Sequence, residues 1–128
     1  MRFFVIRHGE TAWNVEGRFQ GQQDTALNEK GLAQAATLGE RLAGHSFEAV
    51  LTSPLDRAKK TAELAASKCE FGEFTEIPAF TETNHGDWEG GLSTEVAEEW
   101  PELLRRWHTA PETVKMPGEG GESLEDIA

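Results

Sequence analysis

Phe3-Phe4-Val5-Ile6 is apolar at consecutive positions, and an unbroken run of this kind predicts a strand covered on both faces, as in a buried parallel sheet. The polar, glycine-bearing stretch from Thr11 to Leu27 reads as a loop. Apolar and small residues then recur at Leu32, Ala35, Ala36, Gly39, Leu42 and Ala43, which is helical spacing, with Asn28 as the N-cap and Gly44 as the stop. Phe47 to Thr52 is a second short strand, ended by Ser53-Pro54, and Leu55 to Lys68 returns to a helical pattern through Ala58, Ala62 and Ala65. Phe74 to Phe80 alternates but contains Pro78, which favours a short or edge strand. After a glycine-rich loop from Thr81 to Leu92, the positions Val96, Trp100, Leu103, Leu104 and Trp107 form an apolar stripe. Ser93 is its expected cap, and Pro101 is expected to kink or divide the helix. An aromatic stripe at this spacing is core or lid packing before it is a ligand site.

The alternation of strand and helix predicts an α/β fold with a largely parallel sheet. No internal repeat or second-domain boundary is visible, so residues 1–128 read as one domain. Near the end, Ser123-Leu124-Glu125-Asp126 has the form of a capping box, a helix start that Ala128 follows almost at once. A helix that short is not stable alone, and the expectation is a domain truncated at its C-terminus.

Composition narrows the function classes. A chain of this length buries roughly two-thirds of its unfolded surface, and no apolar stretch approaches the ~18 residues of a membrane span. With no basic-then-apolar leader before residue 3, the expectation is a soluble, unexported, cytoplasmic protein with no membrane partner. Cys69 is the only cysteine, which rules out an intrachain disulfide; it reads as a small buried residue near a helix end. The net charge of −11 argues against nucleic acid as a partner. The charge is uneven, however: residues 1–69 carry nine Lys/Arg against eight Asp/Glu, and residues 70–128 carry three against fifteen. An anion site therefore belongs in the first half, and the acidic half reads as a solvated face.

The densest candidate chemistry is Arg7-His8-Gly9-Glu10-Thr11, directly behind the first apolar run, where α/β proteins place ligands at strand ends. Taken alone, Arg7 and His8 are better read as ordinary polar residues ending a strand. The four histidines, at 8, 45, 85 and 108, lack the spacing of a metal pair, and His85-Gly86-Asp87 reads as a loop turn, so neither metal nor cofactor is expected. A metal-independent anion site fits better. Arg7 and Arg57 carry planar forks suited to phosphate oxygens, Asn14 supplies a neutral donor, and Arg57 lies at a helix start where backbone N–H groups favour an anion. The plainer reading of Arg57 is a surface residue pairing with Asp56 or Glu63. A neutral His8 can attack phosphorus with one ring nitrogen while a backbone carbonyl holds the proton of the other. Glu82, after the third strand, is the candidate acid for the leaving alcohol, since burial beside a phosphate would raise its pKa; otherwise it is one more solvated Glu.

Ile6-Arg7-His8-Gly9-Glu10-Thr11, Trp13-Asn14, Gly17-Arg18-Phe19-Gln20-Gly21, Asp24, Leu27, Gly31, Gln34-Ala35, Ser53-Pro54-Leu55-Asp56-Arg57-Ala58, Thr61-Ala62, Glu82, Gly86-Asp87-Trp88-Glu89-Gly90, Pro117 and Gly121-Glu122-Ser123 stand in the order found in one family. The chain resembles the histidine phosphatase, or phosphoglycerate mutase-like, superfamily along essentially its whole length. The resemblance implies a three-layer α/β/α fold with a mostly parallel sheet. It further implies a phosphohistidine on His8, phosphate binding by Arg7 and Arg57 with Asn14, and Glu82 as proton donor and acceptor. Gln20 and Gly21 fall where the family's loop approaches the substrate, and His85 where relatives often carry an aromatic residue.

The family also has a second active-site histidine, in a His-Gly motif ending a later strand that lies beside the first; these residues hold no such motif. That departure is the second reason to expect a truncated domain, with impaired turnover. The segment Gly17 to Gln22 is similar to the phosphatase branch, and the path from Glu89-Gly90 to Pro117 lacks the insertion that the mutases use. The expected activity is therefore hydrolysis of a small phosphate ester, with a mutase or a noncatalytic phosphate-binding fragment as alternatives, and a homo-oligomer left open.

Overall fold

The computed structural model describes residues 1–128, which form two compact units: Met1–Ala12 with Asp24–Thr81, and Trp13–Gln23 with Glu82–Ala128. Near the start of the polar stretch that reads as a loop, the structure has a short helix α1, Ala12–Glu16.

In the first unit the order is α2 (Glu29–Leu42), β1 (Ser46–Thr52), α3 (Asp56–Ala66) and β2 (Glu70–Glu76). Asn28 caps α2 as its sequence predicts, its Oδ1 accepting from Gly31 N at 2.8 Å. Helix α2 packs on α3, and Gly31, Ala35, Gly39 and Leu42 are its buried residues. Small residues set that distance: a Cβ on Gly39 would lie 2.5 Å from the Leu64 carbonyl oxygen. Strands β1 and β2 are parallel, in register from Ser46 opposite Glu70 to Thr52 opposite Glu76, with α3 as the crossover between them. This is the expected α/β arrangement with a parallel sheet.

Two strand expectations are corrected. Phe3–Ile6 is not a strand: residues 1–10 have no ladder, and Phe3 and Val5 are 81% and 95% exposed. The ring of Phe4 meets Phe47 edge-on at 5.2 Å. A continuous apolar run reports a capacity to be covered, not the identity of the cover, and β1 spends its ladder on β2. The third strand begins at Glu70, earlier than the alternation of Phe74–Phe80 predicts, and ends at Glu76. Ile77 N still donates to Thr52 O, whereas Pro78 has no N–H and opens a 3₁₀ turn over Pro78–Phe80.

The second unit is organised around one apolar cluster. Trp88, Val96, Val114 and Met116 are buried, with Phe19, Trp100, Leu103, Leu104 and Trp107 packed against them. The predicted stripe is therefore core, carried by α4 (Ser93–Glu99) and α5 (Pro101–Thr109), which Pro101 divides at Trp100. The cap of α4 is Leu92, not Ser93: Glu95 reaches back to accept from Leu92 N at 2.9 Å. Phe19 joins the cluster through backbone bonds to Gly90 and Gly91. Trp88 is fully buried at its centre, so Trp88→Ala is expected to cost about 3–5 kcal/mol of stability. Denaturant unfolding followed by the remaining tryptophans measures this, and a loss below about 1 kcal/mol would show that the cluster does not hold the unit together.

Ser123 to Asp126 forms the capping box without a helix behind it. Ser123 N donates to Asp126 Oδ2 at 2.7 Å, and Asp126 N donates back to Ser123 Oγ at 3.3 Å. Lys115 Nζ, 2.7 Å from the same carboxylate, together with the Ser123 N–H and hydroxyl, holds the Asp126 pKa down at about 2 from its ordinary 3.8. Because folding lowers this pKa, the clasp is intact above the ordinary value and is lost as pH falls through the folded one. The Ser123 amide resonance is expected to titrate with a midpoint near pH 2; a midpoint near 4 would mean that the clasp is not formed in solution.

Candidate active site

The predicted site residues divide between the units. Arg7, His8 and Arg57 belong to the first; Asn14, Gln20, Gly21 and Glu82 belong to the second. Each set has its own local geometry.

In the first unit His8 is half-buried on a loop that lies against the start of α2. The approach is close enough to require two glycines: a Cβ on Gly9 would meet Gly31 O at 2.6 Å, and one on Gly31 would meet Glu10 O at 2.1 Å. Glu10 fixes the same junction, accepting from Asn28 Nδ2 and Lys30 Nζ at 3.0 Å each. The Asn28 bond first, and then Lys30, holds the Glu10 carboxyl below the ordinary value. His8 Nδ1 lies 2.7 Å from Gly9 O, and a carbonyl can only accept, so Nδ1 carries a proton, and in the neutral imidazole the lone pair is on Nε2.

Thr61 links this loop to the buried arginine. Gly9 N donates to Thr61 Oγ1 at 3.0 Å, and that hydroxyl donates to Arg57 O at 2.7 Å. The residue-level reading assigned Thr61 no role; its position one helical turn after Arg57 was the available signal. Arg57 is 2% exposed, so it is not the surface residue of the plainer reading, and its guanidinium lies 3.5 Å from Thr25 Oγ1. Arg7, by contrast, is exposed. At the start of α3 one backbone donor is already engaged: Asp56 N donates to Asp24 Oδ1 at 2.7 Å. Asp24 thus brings a negative charge of its own to that helix start.

In the second unit Asn14 is exposed on α1, Gln20 is half-buried, and Gly21 is buried with φ of +52°. Glu82 is exposed, and its Oε1 accepts from the adjacent Thr83 N at 3.0 Å. Gln22 Nε2 donates to Glu82 O at 3.0 Å, which ties the Gln20 loop to the Glu82 loop. His85 packs its ring on Phe19 at 5.7 Å and Trp107 at 5.9 Å, as part of the aromatic packing. No group of three His, Cys, Asp or Glu side chains is arranged to hold a metal ion, and no helix is long and apolar enough to cross a membrane.

A histidine in contact with a backbone carbonyl thus lies on a loop that is hydrogen-bonded to the helix carrying a buried arginine. The sequence model of the histidine phosphatase superfamily (branch 1) matches residues 3–128, and the chain belongs to that family. It is 41% identical over 125 residues to a metal-independent phosphoserine phosphatase of Arabidopsis thaliana, covering 97% of this chain and 52% of that protein. It is 36% identical over 126 residues to a 2,3-bisphosphoglycerate-dependent phosphoglycerate mutase of Bartonella henselae, covering 95% and 60%. Among solved structures, Bacillus stearothermophilus YhfR superposes with a TM-score of 0.82 at 36% identity, covering 94% of this chain and 58% of the other. The chain thus spans between half and three-fifths of the length of these proteins.

Proposed function

We propose that the protein is a metal-independent phosphomonoesterase that works through a phosphohistidine on His8. The observation that supports this reading is the 2.7 Å contact of His8 Nδ1 with Gly9 O, which directs the lone pair of a neutral ring to Nε2. Arg7 and Arg57 hold the phosphoryl oxygens with Asn14, and their charge stabilises the transferring group. Nε2 forms the N–P bond as the ester P–O bond breaks, and the carboxylic acid of Glu82 gives its proton to the leaving oxygen. Water then attacks the phosphohistidine, Glu82 takes the water's proton, and inorganic phosphate leaves.

The substrate is a small phosphate ester in the cytoplasm, with no nucleic-acid or membrane partner. Phosphoserine is the first candidate because a phosphatase of that name is among the relatives. Mutases are among them too, and the phosphatase is favoured over them by the resemblance of the segment from Gly17 to Gln22 to the phosphatase branch. These residues lack the second histidine of the family, so this chain is expected to turn over slowly, by about 10²–10³-fold for one lost transition-state donor.

Product analysis with phosphoserine and phosphoglycerate tests the proposal: released inorganic phosphate supports it. Transfer between positions of phosphoglycerate without release would replace it with the mutase, and phosphate binding without any chemistry would leave only a binding fragment.

A further inference from the structure

We infer that Glu89 is a positioning residue, whose carboxylate sets the spacing between the Gln20–Gln23 loop and the Glu82–His85 loop and so shapes the ester side of the site. The inference rests on the proposed function for its purpose, but its geometry stands within the second unit alone. Oε1 of Glu89 accepts from Gln22 N at 2.8 Å and from His85 N at 3.0 Å. Oε2 accepts from Gln23 Nε2 at 2.9 Å. One side chain thus receives backbone donors from both loops, and none of these three partners is a cation. The space beneath the first loop belongs to it as well, since a Cβ on Gly21 would lie 2.1 Å from Oε1.

The carboxylate is held on a firm base. Glu89 N donates to Gly86 O at 3.0 Å, and the residue pairs with Phe19 in a parallel bridge beside the buried Trp88. A second acid ties the same loops elsewhere: Glu122 Oε2 accepts from Asn84 N at 2.7 Å and Gln22 Nε2 at 3.2 Å. That tether keeps the loops attached when Glu89 is changed, so a Glu89 variant alters their spacing without releasing them. Neither loop needs the negative charge. In Glu89→Gln one amide oxygen can accept both backbone donors, while Gln23 turns its side-chain oxygen toward the new NH₂ group.

The test compares Glu89→Ala and Glu89→Gln with the unchanged chain by amide hydrogen exchange and by titration with phosphoserine and with inorganic phosphate. In Glu89→Ala the Gln22 and His85 amides are expected to lose about tenfold or more in protection, as a lost hydrogen bond implies. Phosphoserine affinity is expected to fall about tenfold, while inorganic phosphate, held by Arg7 and Arg57, stays within about twofold. Glu89→Gln is expected to restore both. Protected amides and unchanged phosphoserine binding in Glu89→Ala would overturn the inference, as would a Glu89→Gln as impaired as Glu89→Ala, which would make charge the cause. An equal loss for phosphoserine and inorganic phosphate would also overturn it, showing a general structural effect. If the unchanged chain binds neither compound, the proposed function fails, and amide exchange decides the positioning geometry by itself.

Discussion

Replacing His8 with alanine is expected to remove phosphoryl transfer from an aryl phosphate, by about 10⁴–10⁶-fold in the enzyme's first half-reaction. The size of the effect follows from the loss of a bond-forming atom, since no neighbouring side chain in the first unit offers an equivalent lone pair on the same loop. The fold should survive, because the contacts that fix this loop run through Gly9 N to Thr61 Oγ1 and through Glu10 to Asn28 and Lys30, not through the imidazole alone. Release of the aryl alcohol, followed in single turnover, is the measurement. A His8→Ala chain that releases it at the unchanged rate would place the nucleophile elsewhere or remove the need for one. His8→Asn, similar in size but not nucleophilic, should behave as the alanine variant does, which separates chemistry from packing.

The second large effect concerns Arg57. Arg57 is 2% exposed on the first turn of α3, and a charge-assisted pair between a buried guanidinium and phosphate is among the stronger polar interactions available to a protein. Arg57→Ala is expected to weaken inorganic phosphate binding by about 30- to 1000-fold, corresponding to about 2–4 kcal/mol. Arg57→Lys should recover only part of it, because an ammonium cannot supply two parallel donors to two oxygens. Isothermal titration with inorganic phosphate reads both variants. Arg7, exposed and more strongly screened, should show the smaller loss of the two. A larger loss at Arg7 than at Arg57 would contradict the division of labour drawn from burial.

Several parts of the structure were legible in the residues. Asn28 as cap, Gly44 as stop and the apolar spacing between them describe α2 as it stands, because local capping and periodicity decide a helix of that length. Pro101 divides the last two helices for the same local reason. The first strand was not legible, and the failure is physical. Phe3–Ile6 has the composition of a covered strand, but a ladder is a property of two segments, and only β1 with β2 forms one. Side-chain environment was the other blind spot. Nothing in the spacing of Asp24 and Asp56 says that one caps the backbone of the other, and the position of Glu82 after a strand does not say whether it is buried. The ordered motifs identified the family, whereas the burial of Arg57 and the bond from Thr61 to its helix required coordinates.

The central claim is that phosphorus is carried on His8. Its most direct test is to mix the chain with an aryl phosphate, quench within one turnover, and map the modified residue by mass spectrometry under neutral conditions that preserve N–P bonds. The account predicts one phosphoryl group on the peptide containing His8, labile to acid and absent from His8→Ala. Alcohol release with no phosphoryl group on that peptide, or with the group on another residue, would contradict it.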